Sequence, residues 1–322
     1  MFGFSDYFDK KKAQSGYTDG SQEQRDYLFL LDLLLEHYVD AKSNTSEGLI
    51  FSRGLKMTEA ETERYFFTAP KERKSLGFDD AFAKEVQSAL NHIKSRTKKT
   101  GADVDLRFRD CQNRFCLSDG QILALLIAYS IHADLKYTRL FGYIANEPTL
   151  QFPTVGVFLA LYETFAKEDV TKTVAACTDA DGDFYGYLLD ASVIEEKKRP
   201  YLHMPLVLKS SVIAYLQGAD ISHHRMKKGD DSHLPQSYRD LVARLTGAPE
   251  GMYYLEGTDP LDAEAILCSI KDETLFFMDL DEIADEDEAK TVLSDRISEA
   301  CLWDGALAIL AKEETLIRHR RL

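Results

Sequence analysis

Residues 253–264, Tyr-Tyr-Leu-Glu-Gly-Thr-Asp-Pro-Leu-Asp-Ala-Glu, have the spacing of a phosphate-binding loop without its chemistry. Such a loop reads G-x-x-x-x-G-K-[ST] between a strand and a helix. With Gly257 on the first glycine, Asp262 falls on the second, Ala263 on the lysine and Glu264 on the Ser/Thr. The lysine would reach the β- and γ-phosphates and the hydroxyl would hold Mg²⁺; here two carboxylates face the anion and repel it. A second element of that chemistry, a strand ending in an acidic residue for Mg²⁺, is also missing. Ala306–Leu310 is followed by Ala311 and Lys312, and Glu313 and Glu314 arrive too late in register. The expectation is that this chain has no catalytic residue, no cofactor site and no metal site. Gly257 as a plain turn glycine in an unrelated α/β unit is the alternative.

Other residues invite chemistry less strongly. Asp179-Ala-Asp-Gly-Asp183 resembles a calcium loop, but Gly182 stands fourth rather than sixth and the twelfth residue is Asp190 rather than Glu, so a tight acidic turn is expected. Cys111 and Cys116 have a C-x₄-C spacing with no second ligand pair following. His223, His224 and His233 lie near Asp230 and Asp231 in a segment without a rigid second shell. The run Asp279–Glu288 holds seven carboxylates between a buried strand and a helix, where acids favour the helix N-terminus. Two stretches are the candidate partner-contact residues: Lys197, Lys198 and Arg199 at the tip of an expected hairpin, and Asp285, Glu286, Asp287 and Glu288 in the acidic loop.

The elements that must position these groups follow from the apolar spacing. Leu28, Leu31, Leu34, Leu35 and Tyr38 predict a helix from about Ser21 to Ser43, and Thr58 with Glu61 predicts the start of another. Phe82, Val86, Leu90 and Ile93 predict a helix over 78–98, with Lys94, Arg96, Lys98 and Lys99 at its favourable end. Ser118 caps an apolar helix, Ile122–Tyr129. Asp134–Ile144 follows with Leu135, Leu140, Phe141 and Ile144 inward, and Val155–Phe165 begins after Pro153-Thr154. Asp169 and Thr171 open a short fourth helix. Phe184–Leu189 and Leu202–Leu208 read as the strands of a long hairpin around the charged tip 195–200, and Ser211–Leu216 closes the unit. Three helices and a hairpin form a winged-helix pattern.

Residues 218–235 have no periodicity and read as a linker, followed by a short helix over 236–245. Beyond it the expected order is strand 252–255, helix 261–270, strand 274–280, helix 289–302 and strand 306–310. Alternation of this kind implies a parallel sheet. Trp303 is expected in the core.

Bulk properties narrow the classes. The formal net charge of -15 over 322 residues disfavours nucleic acid and anionic membranes as partners of the whole chain. No apolar run approaches the ~18–20 residues of a membrane span, and the N-terminus lacks a secretory signal's apolar region. The five cysteines are read as buried, reduced thiols, hence a cytoplasmic location.

Asp134-Leu-Lys-Tyr-Thr-Arg-Leu-Phe-Gly-Tyr-Ile144 and Pro153-Thr-Val155 resemble the winged-helix N-terminal region of a group of bacterial AAA-family ATPases. That group has an "ELDLRYERLYGYL" pattern followed by "RPTV". Residues 252–310 are similar to the degenerate first ATPase domain of those proteins, in which an intact ATPase domain comes later. The resemblance implies a multidomain, mainly α chain with an α/β part: a helical N-terminal region over 1–100, a winged-helix domain over 101–218, a linker and short helix over 219–248, and a degenerate, partial AAA-ATPase-like α/β domain over 249–322. It implies a non-hydrolysing partner-recognition region, with ATP and Mg bound only in a downstream domain of the parent. The partner would be a protein or the parent's own ATPase ring. A winged-helix DNA-binding regulator and a nucleotide-binding enzyme with an atypical phosphate loop are the rival readings.

Overall fold

A computed structural model describes residues 15–45, 79–145, 147–166, 170–179, 182, 184–190, 193, 200–219, 235–246, 266–267, 269, 275–312 and 314–315. The expected phosphate loop 253–264, the helix start at Thr58, the hairpin tip 195–199 and the histidine-rich segment lie outside the described residues. The chain divides into two compact units, Met1–Leu208 and Lys209–Leu322. Among the described residues, no helix is long and apolar enough to cross a membrane.

The first unit begins with two long helices, α1 (Gly20–Thr45) and α2 (Asp80–Lys99), packed on each other. In α1, Tyr27, Leu30, Leu31, Leu34, Leu35 and Tyr38 are buried, while the expected Leu28 is only half-buried. The Asp79 side chain caps α2 by accepting from the Ala81 N–H at 2.7 Å. Val86 and Ile93 are buried as their spacing predicts, and Phe82 stacks on His37 with ring centroids 3.7 Å apart.

Short α3 (Arg107–Arg114) leads to α4 (Asp119–Ala133), the central helix. Ser118 and Gln121 form a reciprocal capping box that starts α4 one turn before its apolar run. Every residue from Ile122 to Ser130 is buried, so the helix is covered all round. Each fully buried leucine there stabilises the unit by roughly 1.5–3 kcal/mol. Around it pack α1, α5 (Lys136–Ala145), α6 (Val155–Tyr162) and α7 (Val170–Thr178). In α5 the inward residues are Tyr137, Phe141 and Ile144, spaced four and three apart. Leu135 precedes the helix and is 80% exposed, and Leu140 is half-buried, so these two assignments are corrected.

The expected hairpin is also corrected. Phe184–Leu188 forms a single π-helical turn rather than a strand. Its buried residues Phe184, Tyr185, Leu188 and Leu189 repeat at helical spacing, whereas an exposed-face strand needs alternation. The returning segment begins with a 3₁₀ turn, Tyr201–His203, and among the described residues pairs through isolated antiparallel bridges, Thr154 with Pro205 and Leu189 with Leu208. Pro205 is itself a member of the first bridge and Pro153 flanks it, and neither has an N–H group. The donors across it are Val155 to the Met204 carbonyl at 2.9 Å and Leu206 to the Pro153 carbonyl at 2.8 Å, and Pro153 has no N–H to return the second bond.

The second unit holds α8 (Ser210–Leu216), α9 (Gln236–Thr246), β1 (Leu275–Asp279), α10 (Glu286–Leu302) and β2 (Ala306–Leu310). The strands pair in parallel, with Leu275 opposite Ala306 and Asp279 opposite Leu310. A parallel pair needs a crossover of about a dozen residues or more, which α10 supplies. The core there is Met278, Leu280, Ile283 and Ala289 with Val292, Leu293 and Leu307 packed against it. Buried Lys209 reaches α10, donating to the Ser294 hydroxyl at 2.8 Å and pairing with Asp295 at 2.9 Å. Trp303 is half-buried and meets Tyr215 edge-on, ring centroids 5.0 Å apart.

Candidate functional site

In a helix-turn-helix arrangement, the second helix of the pair enters the major groove and its polar side chains read base edges. The last two helices before the wing are α7 and, ahead of it, α6, whose sequence is Val-Gly-Val-Phe-Leu-Ala-Leu-Tyr. Thr154 starts it by accepting from the Val157 N–H at 3.3 Å, and no residue of the helix is exposed. The base of the wing closes over its N-terminus: a Cβ on Gly156 would sit 2.9 Å from the Leu202 carbonyl oxygen. Tyr201 extends this cover through a 2.8 Å hydrogen bond between its hydroxyl and that of Thr178. The next helix, α7, has Lys172 as its one charged residue. Neither helix offers Arg, Asn or Gln; of the side-chain types that read bases, α7 has exposed Lys172 and threonines. The sequence signal for the covered α6 was an eight-residue run without a charged side chain.

Three basic residues of α2 and α5 are engaged within the unit. Lys136 pairs with Asp32 at 2.8 Å, and Lys94 pairs with Asp119. Arg96 is buried at 7% exposure and donates to Asp26 at 2.8 Å and to Gln22 at 3.0 Å. Arg139, Lys98 and Lys99 are exposed. Lys197, Lys198 and Arg199 lie outside the described residues.

The acidic candidates fall together in the first turn of α10, because Asp285 is its N-cap. The Asp285 carboxylate accepts from the Glu288 N–H at 2.8 Å, and the Glu288 carboxylate accepts from the Ala284 N–H at 3.2 Å. Glu286 pairs with Lys290 at 3.3 Å, and Asp287 is exposed. Two of the four carboxylates therefore satisfy helix-end donors, as acids at a helix N-terminus do. Earlier in the same acidic run, Asp281 accepts from the Thr315 hydroxyl and from the Lys312 N–H. The Thr315 bond, with help from Lys312, holds its carboxyl below the usual range.

Within the first unit lies a buried polar cluster that sequence reading missed. The Tyr17 hydroxyl donates to Asp26 at 3.0 Å, and the Arg96 guanidinium lies 4.0 Å from the Tyr17 ring centre. One turn earlier, Glu23 is 1% exposed and accepts from the Phe108 and Arg109 N–H groups, both at 3.1 Å. The available signal was position: Glu23 shares the inward stripe of Tyr27, Leu30 and Leu34.

Among the described residues, no group of three or more His, Cys, Asp or Glu side chains is placed to hold a metal ion. The cysteines differ from the uniform buried set expected. Cys111 and Cys177 are buried, and burial pushes the Cys177 thiol up to about 12 and Cys111 higher still. Cys116 is exposed and Cys301 half-buried, because each sits at a helix end rather than on an inward stripe. A cavity of about 70 Å³ between α1, α2 and α4 is lined by Tyr27, Leu30, Val86, Leu90 and Leu123, well below the ~300 Å³ at which small-molecule sites begin.

Comparison with curated proteins gives no match, and comparison with solved structures gives none. The family described as "Winged helix domain, variant" matches residues 8–229, which takes in α1 through α8 and the bridged wing; the chain belongs to that winged-helix family.

Proposed function

We propose that this chain is a non-hydrolysing partner-recognition and regulatory region of a bacterial AAA-family ATPase, with the active ATPase domain downstream in the parent protein. The observation that supports the recognition role is α6: a winged-helix element that is apolar and covered is suited to holding a fold whose outer surface is presented to a protein. The AAA assignment rests on the resemblance of residues 134–144 and 153–155, and the parallel β1–α10–β2 unit is compatible with a partial ATPase-like sheet. The loop at 253–264, lacking Lys and Ser/Thr at the decisive positions, belongs to the same reading. So does the organisation into a helical lead-in, a winged helix, a linker and a degenerate α/β domain. ATP and Mg would act only in the downstream domain. The proposed contact residues are Lys197, Lys198 and Arg199 with Asp285, Glu286, Asp287 and Glu288; the partner is a protein or the parent's ATPase ring, and the location is cytoplasmic.

The test is to purify the native-length protein, weigh it and assay Mg-ATP hydrolysis. The proposal expects a mass well above the 36.5 kDa of this chain and hydrolysis, while this chain alone shows no thermal shift with Mg-ATP. A native species near that mass without hydrolysis contradicts the ATPase reading, and nucleotide stabilisation of this chain contradicts the dead loop.

A further inference from the structure

The first two turns of α1 carry a stripe against which α3 packs. Gly20, Glu23 and Tyr27 stand three and four apart, so they share one side of the helix. Each meets the chain around α3 in its own way. A Cβ on Gly20 would overlap the Asp105 carbonyl oxygen, so glycine lets the connection from α2 pass this close. The Glu23 carboxylate accepts from the Phe108 N–H on one oxygen and from the Arg109 N–H on the other, both at 3.1 Å. The Tyr27 ring lies against the Phe108 ring, with centroids 4.9 Å apart.

Without that stripe α3 has little to hold it. It is eight residues long, and an isolated helix below ~12–15 residues is marginal in water. Its N-cap position is Leu106, which offers no side-chain oxygen. Phe108 and Arg109 are its second and third residues, the two whose amides a capping side chain satisfies. Glu23 supplies that acceptor from 85 residues away. Asp105, the nearest carboxylate ahead of the helix in the chain, pairs with Arg107. Within α3 the buried residues are Phe108 and Cys111, and Phe108 also meets Tyr129 of α4 edge-on, centroids 5.7 Å apart. The segment that leads into α1 is fastened to the end of α2: the Tyr17 N–H donates to the Thr100 hydroxyl at 2.8 Å, and its ring faces Arg96. Residues 15–27 therefore hold both ends of the α2–α3 connection. The far end of α3 has separate anchors, buried Phe115 and the bond from the Leu117 N–H to the Gln112 carbonyl at 2.9 Å.

We propose that α3 is a conditional helix, ordered while the first two turns of α1 are docked on it and released when they are drawn away. The N-terminal end of the chain then sets the state of the α2–α4 connection. Helix α4 stays formed in either state, because its capping box of Ser118 and Gln121 is its own. A partner that captured residues 15–27 would unfold α3 and leave α4 in place.

Hydrogen exchange on the full chain tests this, read on the peptide covering residues 106–114. Glu23→Leu removes the acceptor, and protection of that peptide should fall roughly tenfold while peptides of α4 keep theirs. Glu23→Gln, which retains one carbonyl oxygen, should lose less. Unchanged protection of 106–114 in Glu23→Leu, or an equal loss across α4, overturns the proposal. Should that variant not fold, native-state exchange of the unaltered chain in rising urea decides. Opening of 106–114 at lower urea than α4 supports the conditional helix, and opening of both in one transition overturns it.

Discussion

Arg96 stands among the basic residues that end α2, yet its guanidinium turns inward to Asp26, Gln22 and the face of Tyr17. The Arg96–Asp26 pair is a tie between α1 and α2, with side chains only 8% and 7% exposed. Removing one member of a buried pair strands the other charge away from water. Arg96→Ala is therefore expected to lower stability by about 3 kcal/mol or more, measured as a shift of the urea midpoint at unchanged slope. A loss below about 1 kcal/mol would mean that Asp26 is hydrated and the pair is not a buried tie. The helix itself was legible from Val86, Leu90 and Ile93, but the direction of Arg96 was not. Its partner lies 70 residues earlier, and a basic residue in a last helical turn reads equally well as a dipole partner. The same holds for Glu23, which a charge-based reading places on the surface although its position on the stripe places it inside.

Helices were legible where a capping side chain precedes a periodic apolar run, as at Asp79, Ser118 and Thr154. The βα unit was legible too: the 306–310 strand was placed at its observed bounds, and the parallel pairing followed from the alternation. The wing was misread because an apolar run of strand length does not reveal its period when aromatics crowd it. Pro153 was read only as a helix starter, and Pro205 lay inside the expected returning strand. At the helix ends, Cys116 follows α3 in a left-handed conformation, φ 49°, and the Leu117 N–H bonds the Gln112 carbonyl at 2.9 Å. That is the geometry glycine adopts without strain. Cys116→Gly is expected to raise stability by about 0.5–1 kcal/mol, the left-handed strain relieved exceeding the added freedom of the unfolded chain. Chemical denaturation measures it; a destabilised variant would show that the exposed thiol makes a contact worth more than the strain.

At the scale of the whole molecule, charge and architecture point the same way. A chain of net charge -15 repels a polyanion unless cations gather on one face. Among the described residues the cations of α2 and α5 are partly consumed by Asp26, Asp32 and Asp119. The winged-helix family was legible from the order of helices and the proline-threonine start of α6. That the wing base covers the N-terminus of α6 was not legible, because a charge count does not reveal which face of a helix is covered. The central claim is that this winged helix is a protein-contact scaffold and not a DNA reader. The measurement that tests it most directly is fluorescence anisotropy of a labelled duplex titrated with the full chain at about 50 mM salt, where non-specific binders are at their tightest. The account predicts no saturable binding. Saturable binding that weakens steeply with salt, and is lost when Lys197, Lys198 and Arg199 are replaced by alanine, would contradict it.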